Sequence, residues 1–215
     1  MTTRTQMRTM LRRRLADEGP DPLWNDEFLN DAIAEAIRRY STSVPRQDVA
    51  AVAVEAGELE IEMPENINAL RVARVFDDRG LLWRRWEGSG EAPPVPQGQP
   101  VGASTWRVWA NALLLGAPAP RAGLWRIEHL VHRVEPSDDL VPLDIQPNDE
   151  DIIVALALAV ALSRRAISEG KRYTGRAGVH PLAAAARSAQ VDADRMFWAR
   201  THRARGGTLN PGAGQ

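Results

Sequence analysis

The chain contains no cysteine, which excludes disulfides and thiolate metal sites and leaves the redox compartment open. Lysine is nearly missing as well: arginine supplies 26 of the 27 basic residues and Lys171 the other. That bias favours planar, bidentate contacts with carboxylate or phosphate over point-charge contacts. Long apolar runs are also lacking. The longest, Ile152 to Leu162, has 11 residues, against roughly 20 for a membrane-spanning helix, so no membrane segment is expected. No internal repeat is present.

With 215 residues, 44% of them apolar, the chain can bury a sizeable core. The net charge of -1 conceals a segregation along the chain. Residues 1–16 carry +5, residues 164–215 carry +7 and the block between them -13. Basic ends and an acidic middle suit charge-complementary contact between neighbouring copies or with another protein. The acid-free, arginine-rich start has the look of a transit peptide, but Met7, Met10 or Leu11, and Leu15 recur at helical spacing before Gly19-Pro20, which predicts an ordinary first helix.

A second helix is expected from Asn25, its cap, with Asp26 and Glu27 at its positive end and Phe28, Leu29, Ile33, Ala36, Ile37 and Tyr40 as one apolar stripe. From Asp48 to about Val134 the period becomes alternating. Residues 49–55 and 58–63 flank Ala56-Gly57 as an expected hairpin, with Leu59, Ile61 and Met63 facing inward and Glu58, Glu60 and Glu62 facing water. Residues 70–76 and 81–86 flank Asp77-Asp78-Arg79-Gly80 as a second, and Trp106–Trp109 with Leu113–Leu115 read as a further strand pair. A Pro/Gly-rich loop is expected over 87–104.

Asn148 is the expected cap of a third helix whose first turn holds Asp149, Glu150 and Asp151. Its apolar residues cover nearly the whole circumference, so it is expected to be buried on several sides, with Arg164 and Arg165 near its end and Gly170 as its stop. A fourth helix begins near Pro181, with Leu182, Ala186, Ala189, Ala193 and Met196 or Phe197 as contact stripe. The fold class expected is therefore α+β: a bundle of about four helices in 1–47 and 136–205, an inserted antiparallel β domain in 48–135 between the second and third helices, and a flexible tail in 206–215.

Chemistry is poorly signalled. His129 and His132, three apart on a strand, point to opposite faces and cannot share a metal. The acids between Asp138 and Asp151 lack the spacing of a calcium loop. Gly88-x-Gly90 is followed by prolines and not by a helix that could hold phosphate. Ser41 and Ser43 have no histidine nearby in sequence. No catalytic residue, metal or cofactor is expected. Among the seven tryptophans, Trp83 and Trp86 alternate to opposite faces, as do Trp106 and Trp109, and the set is expected to serve a subunit or tail interface. The acidic strand region disfavours stacking on single-stranded nucleic acid.

An opening helix, a helix entered through Trp24-Asn25-Asp26-Glu27-Phe28-Leu29, and a β insertion followed by two long helices together resemble the head-to-tail adaptors that tailed bacteriophages place beneath the portal ring. The likeness is sharpest over Leu113–Pro118, Pro136–Leu140 and Asp144–Leu162. It implies a structural virion protein of the neck, assembled in the host cytoplasm as a dodecameric ring that docks on the portal protein, continues the DNA channel without binding the genome specifically, and offers its far side to tail or nozzle proteins. It also implies that Arg200, Arg203, Arg205 and Leu209 grip the portal, with the basic final helix and the tail ordering only there. The alternatives are a nucleic-acid-binding protein that uses the arginine-rich C-terminal helix, or another neck or tail-completion protein.

Overall fold

The computed structural model describes the backbone of residues 2–86, 104–135, 138–172 and 181–206. The side chains of Arg203 and Arg205, all of Leu209, the tail over 207–215 and the expected loop over 87–103 lie outside the described residues. The chain divides into one unit made of Met1–Pro45 with His132–Gln215 and a second, Arg46–Val131, against expected boundaries at 47/48 and 135/136.

Helix α1 (Arg4–Arg14) opens on a reciprocal cap in which the Gln6 N–H donates to the Thr3 hydroxyl and the Thr3 N–H to the Gln6 side chain. This satisfies two donors that a helix start otherwise leaves open. Met7 and Leu11, one turn apart, are fully buried. In α2 (Asp26–Ser43) the Asn25 side chain accepts the Phe28 N–H at 2.8 Å, and Leu29, Ile33, Ala36, Ile37 and Tyr40 form the buried stripe. Each large apolar side chain buried this way contributes about 1.5–3 kcal/mol. Exposed ion pairs such as Arg13–Glu18 contribute a few tenths, so packing decides how these helices associate.

Helix α3 (Glu150–Arg172) is the centre of this unit and packs against α1, α2 and α4 (Pro181–Gly206). Ile153, Leu156, Ala157, Ala159 and Ala161 are buried, which accounts for an apolar pattern with no solvent stripe. No described helix is long and apolar enough to cross a membrane. Two expectations fail here. Asn148 is not the cap: it sits at φ +68°, and Asp149, whose carbonyl accepts the Ile153 N–H, takes the cap position. Gly170 does not stop α3, which runs on to Arg172. An exposed glycine costs a helix only about 1 kcal/mol, less than the packing upstream supplies. Helix α4 is likewise part of the unit, with Ala193 buried in the helical core and Ala189 and Phe197 packed against it.

The second unit is a seven-stranded sheet in the order β1-β7-β3-β4-β5-β6-β2. Strand β1 (Arg46–Val54) pairs antiparallel with β7 (Gly123–Val131) over nine residues, from Arg46↔Val131 to Val54↔Gly123. The expected hairpin after β1 therefore does not form. Gly57, at φ +85°, turns the chain, but the following β2 (Glu60–Glu62) pairs with β6 (Ala112–Leu115). A three-residue strand could not replace the nine-residue ladder that β7 provides. Ile61 and Met63 are buried as expected, whereas Leu59 is exposed and its carbonyl accepts the Leu115 N–H.

The second hairpin does form. Strands β3 (Val72–Phe76) and β4 (Leu82–Arg85) pair antiparallel, and the buried Asp77 carboxylate accepts the N–H groups of Arg79 and Leu81 at 2.9 Å each. Gly80, at φ +79°, supplies the left-handed residue the turn needs. Strand β5 (Thr105–Trp109) pairs antiparallel with β6 and parallel with β4; that parallel pairing departs from the expected antiparallel domain. The core of this unit holds Trp106, Trp125, Ile61, Ile67, Leu113 and Ile127.

Candidate interaction surfaces

The alternation that separates Trp83 from Trp86, and Trp106 from Trp109, places one of each pair inside. Trp83 and Trp106 are buried, at 3% and 1% exposure. The Trp106 indole N–H donates to the Trp83 carbonyl at 3.1 Å, and the Trp83 ring lies 4.7 Å from that of Trp125. Both leave the expected interface set, because they belong to the buried core of this unit. Trp109 is 66% exposed at the end of β5. Trp86, half-buried, carries the Arg107 guanidinium 5.2 Å above its ring. These two remain as surface indoles.

Arg200 is not a free portal contact. Its Nε donates to both carboxylate oxygens of Asp149, at 2.8 and 2.9 Å, and the Tyr40 hydroxyl donates to the same carboxylate at 2.5 Å. Asp149 is 3% exposed and Tyr40 fully buried. Three helical positions far apart in sequence are thus tied together: the end of α2, the start of α3 and the last part of α4. Burial, reinforced by the hydrogen bond to Asp149, pushes the Tyr40 phenol well above its ordinary value. The network holds the phenol neutral and ties it to the other two side chains, which is a structural arrangement.

Close by, Ser41 and His132 meet, contrary to the expectation that Ser41 has no histidine partner. The Ser41 Oγ and His132 Nδ1 are 3.3 Å apart, across 91 residues of sequence that periodicity cannot bridge. Nucleophilic chemistry does not follow, since Ser41 is 1% exposed and its oxygen accepts the Arg133 N–H at 2.8 Å. Arg133 explains the cluster. Its buried guanidinium donates from Nε to the Val44 carbonyl at 2.7 Å and from Nη1 to the Asp144 carbonyl and carboxylate at 3.0 and 2.9 Å, and it lies over the Tyr40 ring. It therefore clamps the segment that follows α2 to the segment that precedes α3. His129, on β7, is buried. Among the described residues no group of three or more His, Asp or Glu is placed to hold a metal ion.

A third cluster straps the segment before α3 to α1. Asp139 accepts from Arg4 Nε and Arg8 Nη2, both at 2.6 Å, while the Leu143 N–H donates to the Thr2 carbonyl. The hydrogen bonds from Arg8 and then Arg4 hold the Asp139 carboxyl below its ordinary value of 3.8. A depressed carboxylate contributes stability above its unfolded value that is lost as pH falls through the folded one. Asp139→Asn should therefore lose less stability than the parent protein on acidification below about pH 4. Urea midpoints measured down that range check it, and parallel curves would show that the strap carries no linkage.

None of the networks above was legible from motifs. The one sequence signal for the Asp149 site is an acid immediately before an all-apolar helix, a pattern that helix-dipole stabilisation also explains. A scan against protein-family models finds no family that matches this chain, and a search of the curated proteins finds no match either.

Proposed function

We propose that the chain is a head-to-tail adaptor of tailed bacteriophages, a structural protein of the virion neck without enzymatic activity. The observation that carries the reading is the element order: two helices, a β unit inserted at Arg46–Val131, then two long helices that close the bundle. It coincides with the order on which the family resemblance rests. The polar clusters support the same reading, because the buried Arg133 and Asp149 and the half-exposed Asp139 are spent on fixing the helical unit. In this role a dodecameric ring docks on the portal, continues the DNA channel and receives tail or nozzle proteins. Portal contact falls to Arg203, Arg205 and Leu209, since Arg200 is engaged within its own unit, and of the four tryptophans expected at an interface only Trp86 and Trp109 stay on the surface.

The alternative, a duplex-binding protein acting through the C-terminal arginines, makes an opposite prediction in solution. Cosedimentation with purified portal protein at physiological salt, together with little affinity for free duplex, is the expected result. Duplex binding that falls steeply between about 50 and 200 mM salt, with no portal binding, would replace the adaptor by the alternative.

A further inference from the structure

Helix α4 presents apolar side chains on two different sides. On its outer face Trp198 and Val191, two turns apart, are 61% and 55% exposed, and Arg195 between them is 78% exposed at its side chain. On the flank, α4 and α3 enclose a groove of about 160 Å³ floored by Val154, Ala155, Leu158, Ala189 and Met196, with Arg14, Asp151 and Asp192 on its rim. At about 100° per residue, Trp198 stands roughly 140° around the helix from the groove residues Asp192 and Met196.

The volume sets what the groove can hold. A cavity of about 150 Å³ with apolar walls accepts a benzene-sized ring, so this one fits the greater part of an indole and is far larger than a methyl or isopropyl group needs. Charge agrees with size. Asp151 already has Arg14 at 3.6 Å, while among the described residues the ion pair Asp192 makes is a long, exposed contact of 3.7 Å with Arg195 of its own helix. Its carboxylate can therefore receive a cation that arrives beside the indole. Knob and groove lie on separate flanks, so one molecule cannot fill its own groove, and a contact between them is head-to-tail. Such a contact propagates from copy to copy and yields a ring when the rotation closes.

We infer that Trp198 of one copy seats in the α3–α4 groove of the next, with Arg195 meeting Asp192 across the contact, and that this is the subunit interface of the ring. The inference rests on the ring reading above. Tryptophan and arginine are also among the residue types enriched where a few side chains dominate an interface.

Two complementary variants test it. Trp198→Ala keeps the groove and loses the knob, while Ala155→Trp fills the groove and keeps the knob; Met196→Trp, at a half-exposed position, serves in place of the latter if it fails to fold by circular dichroism. The parent protein, on portal or concentrated, should form assemblies larger than two copies by sedimentation. Each variant alone should weaken association at least about thirty-fold, and an equimolar mixture should stop at one-to-one dimers, because only one knob and one groove remain per pair. Variants that assemble as the parent does overturn the contact while leaving the ring intact. A parent protein that stays monomeric with and without portal overturns the contact and the ring reading together.

Discussion

Asp149→Ala should lower the stability of the helical unit by about 3 kcal/mol, and Arg200→Glu should do so at least as severely. Removing one partner of a buried ion pair leaves the other charge uncompensated, which costs about 3–5 kcal/mol in well-buried cases; the Arg200 side chain is 30% exposed, which favours the lower end. For a protein of this size the loss corresponds to a fall in melting temperature of about 6–12 °C. Arg200→Glu also sets a second carboxylate against Asp149, and so acts on folding before it can act on docking. Tyr40→Phe removes one hydrogen bond and should cost about 1 kcal/mol, since Arg200 still neutralises the acid. The pH dependence has a definite sign. A phenol whose folded value is raised contributes stability below its ordinary value near 10 that is lost as pH rises beyond it. The parent protein should weaken above about pH 10, and Tyr40→Phe should flatten that alkaline limb. Thermal unfolding of the three variants across pH checks the set; an Arg200→Glu protein as stable as the parent would dissolve the network.

The second large effect lies in the β unit. Trp125→Ala and Trp106→Ala should each cost about 3–5 kcal/mol, the range for emptying an aromatic site in a packed core, because both rings are essentially inaccessible. Trp106 loses in addition its bond to the Trp83 carbonyl. Trp109→Ala, at an exposed position, should stay within about 0.5 kcal/mol. Denaturant unfolding separates the two classes. A Trp109 loss as large as that of Trp125 would mean that the indole is core and not surface.

These effects mark where sequence reading stops. Local chemistry was legible: the Asn25 cap, the spacing of Met7 and Leu11, the Asp77–Gly80 turn and the apolar circumference of α3 each depend on residues within a turn or two of one another. Partnership was not. Alternation identifies β1 and β2 as strands, yet nothing within them says that β1 pairs with β7, 69 residues on from Val54 to Gly123. The tryptophan spacing separates the members of each pair but not inside from outside, since that depends on which face of the sheet packs into the core. Arg200 read as a surface cation because its partner, Asp149, lies 51 residues earlier and reads as part of a helix cap. The groove beneath Met196 arises only when α3 and α4 pack, so no stretch of sequence contains it.

Electron microscopy of the protein mixed with its cognate portal tests the adaptor reading most directly. A dodecameric ring coaxial with the portal, with a channel wide enough for duplex DNA through both, is the expected class average. Portal particles with no added density, seen beside monomers of this chain, would contradict it.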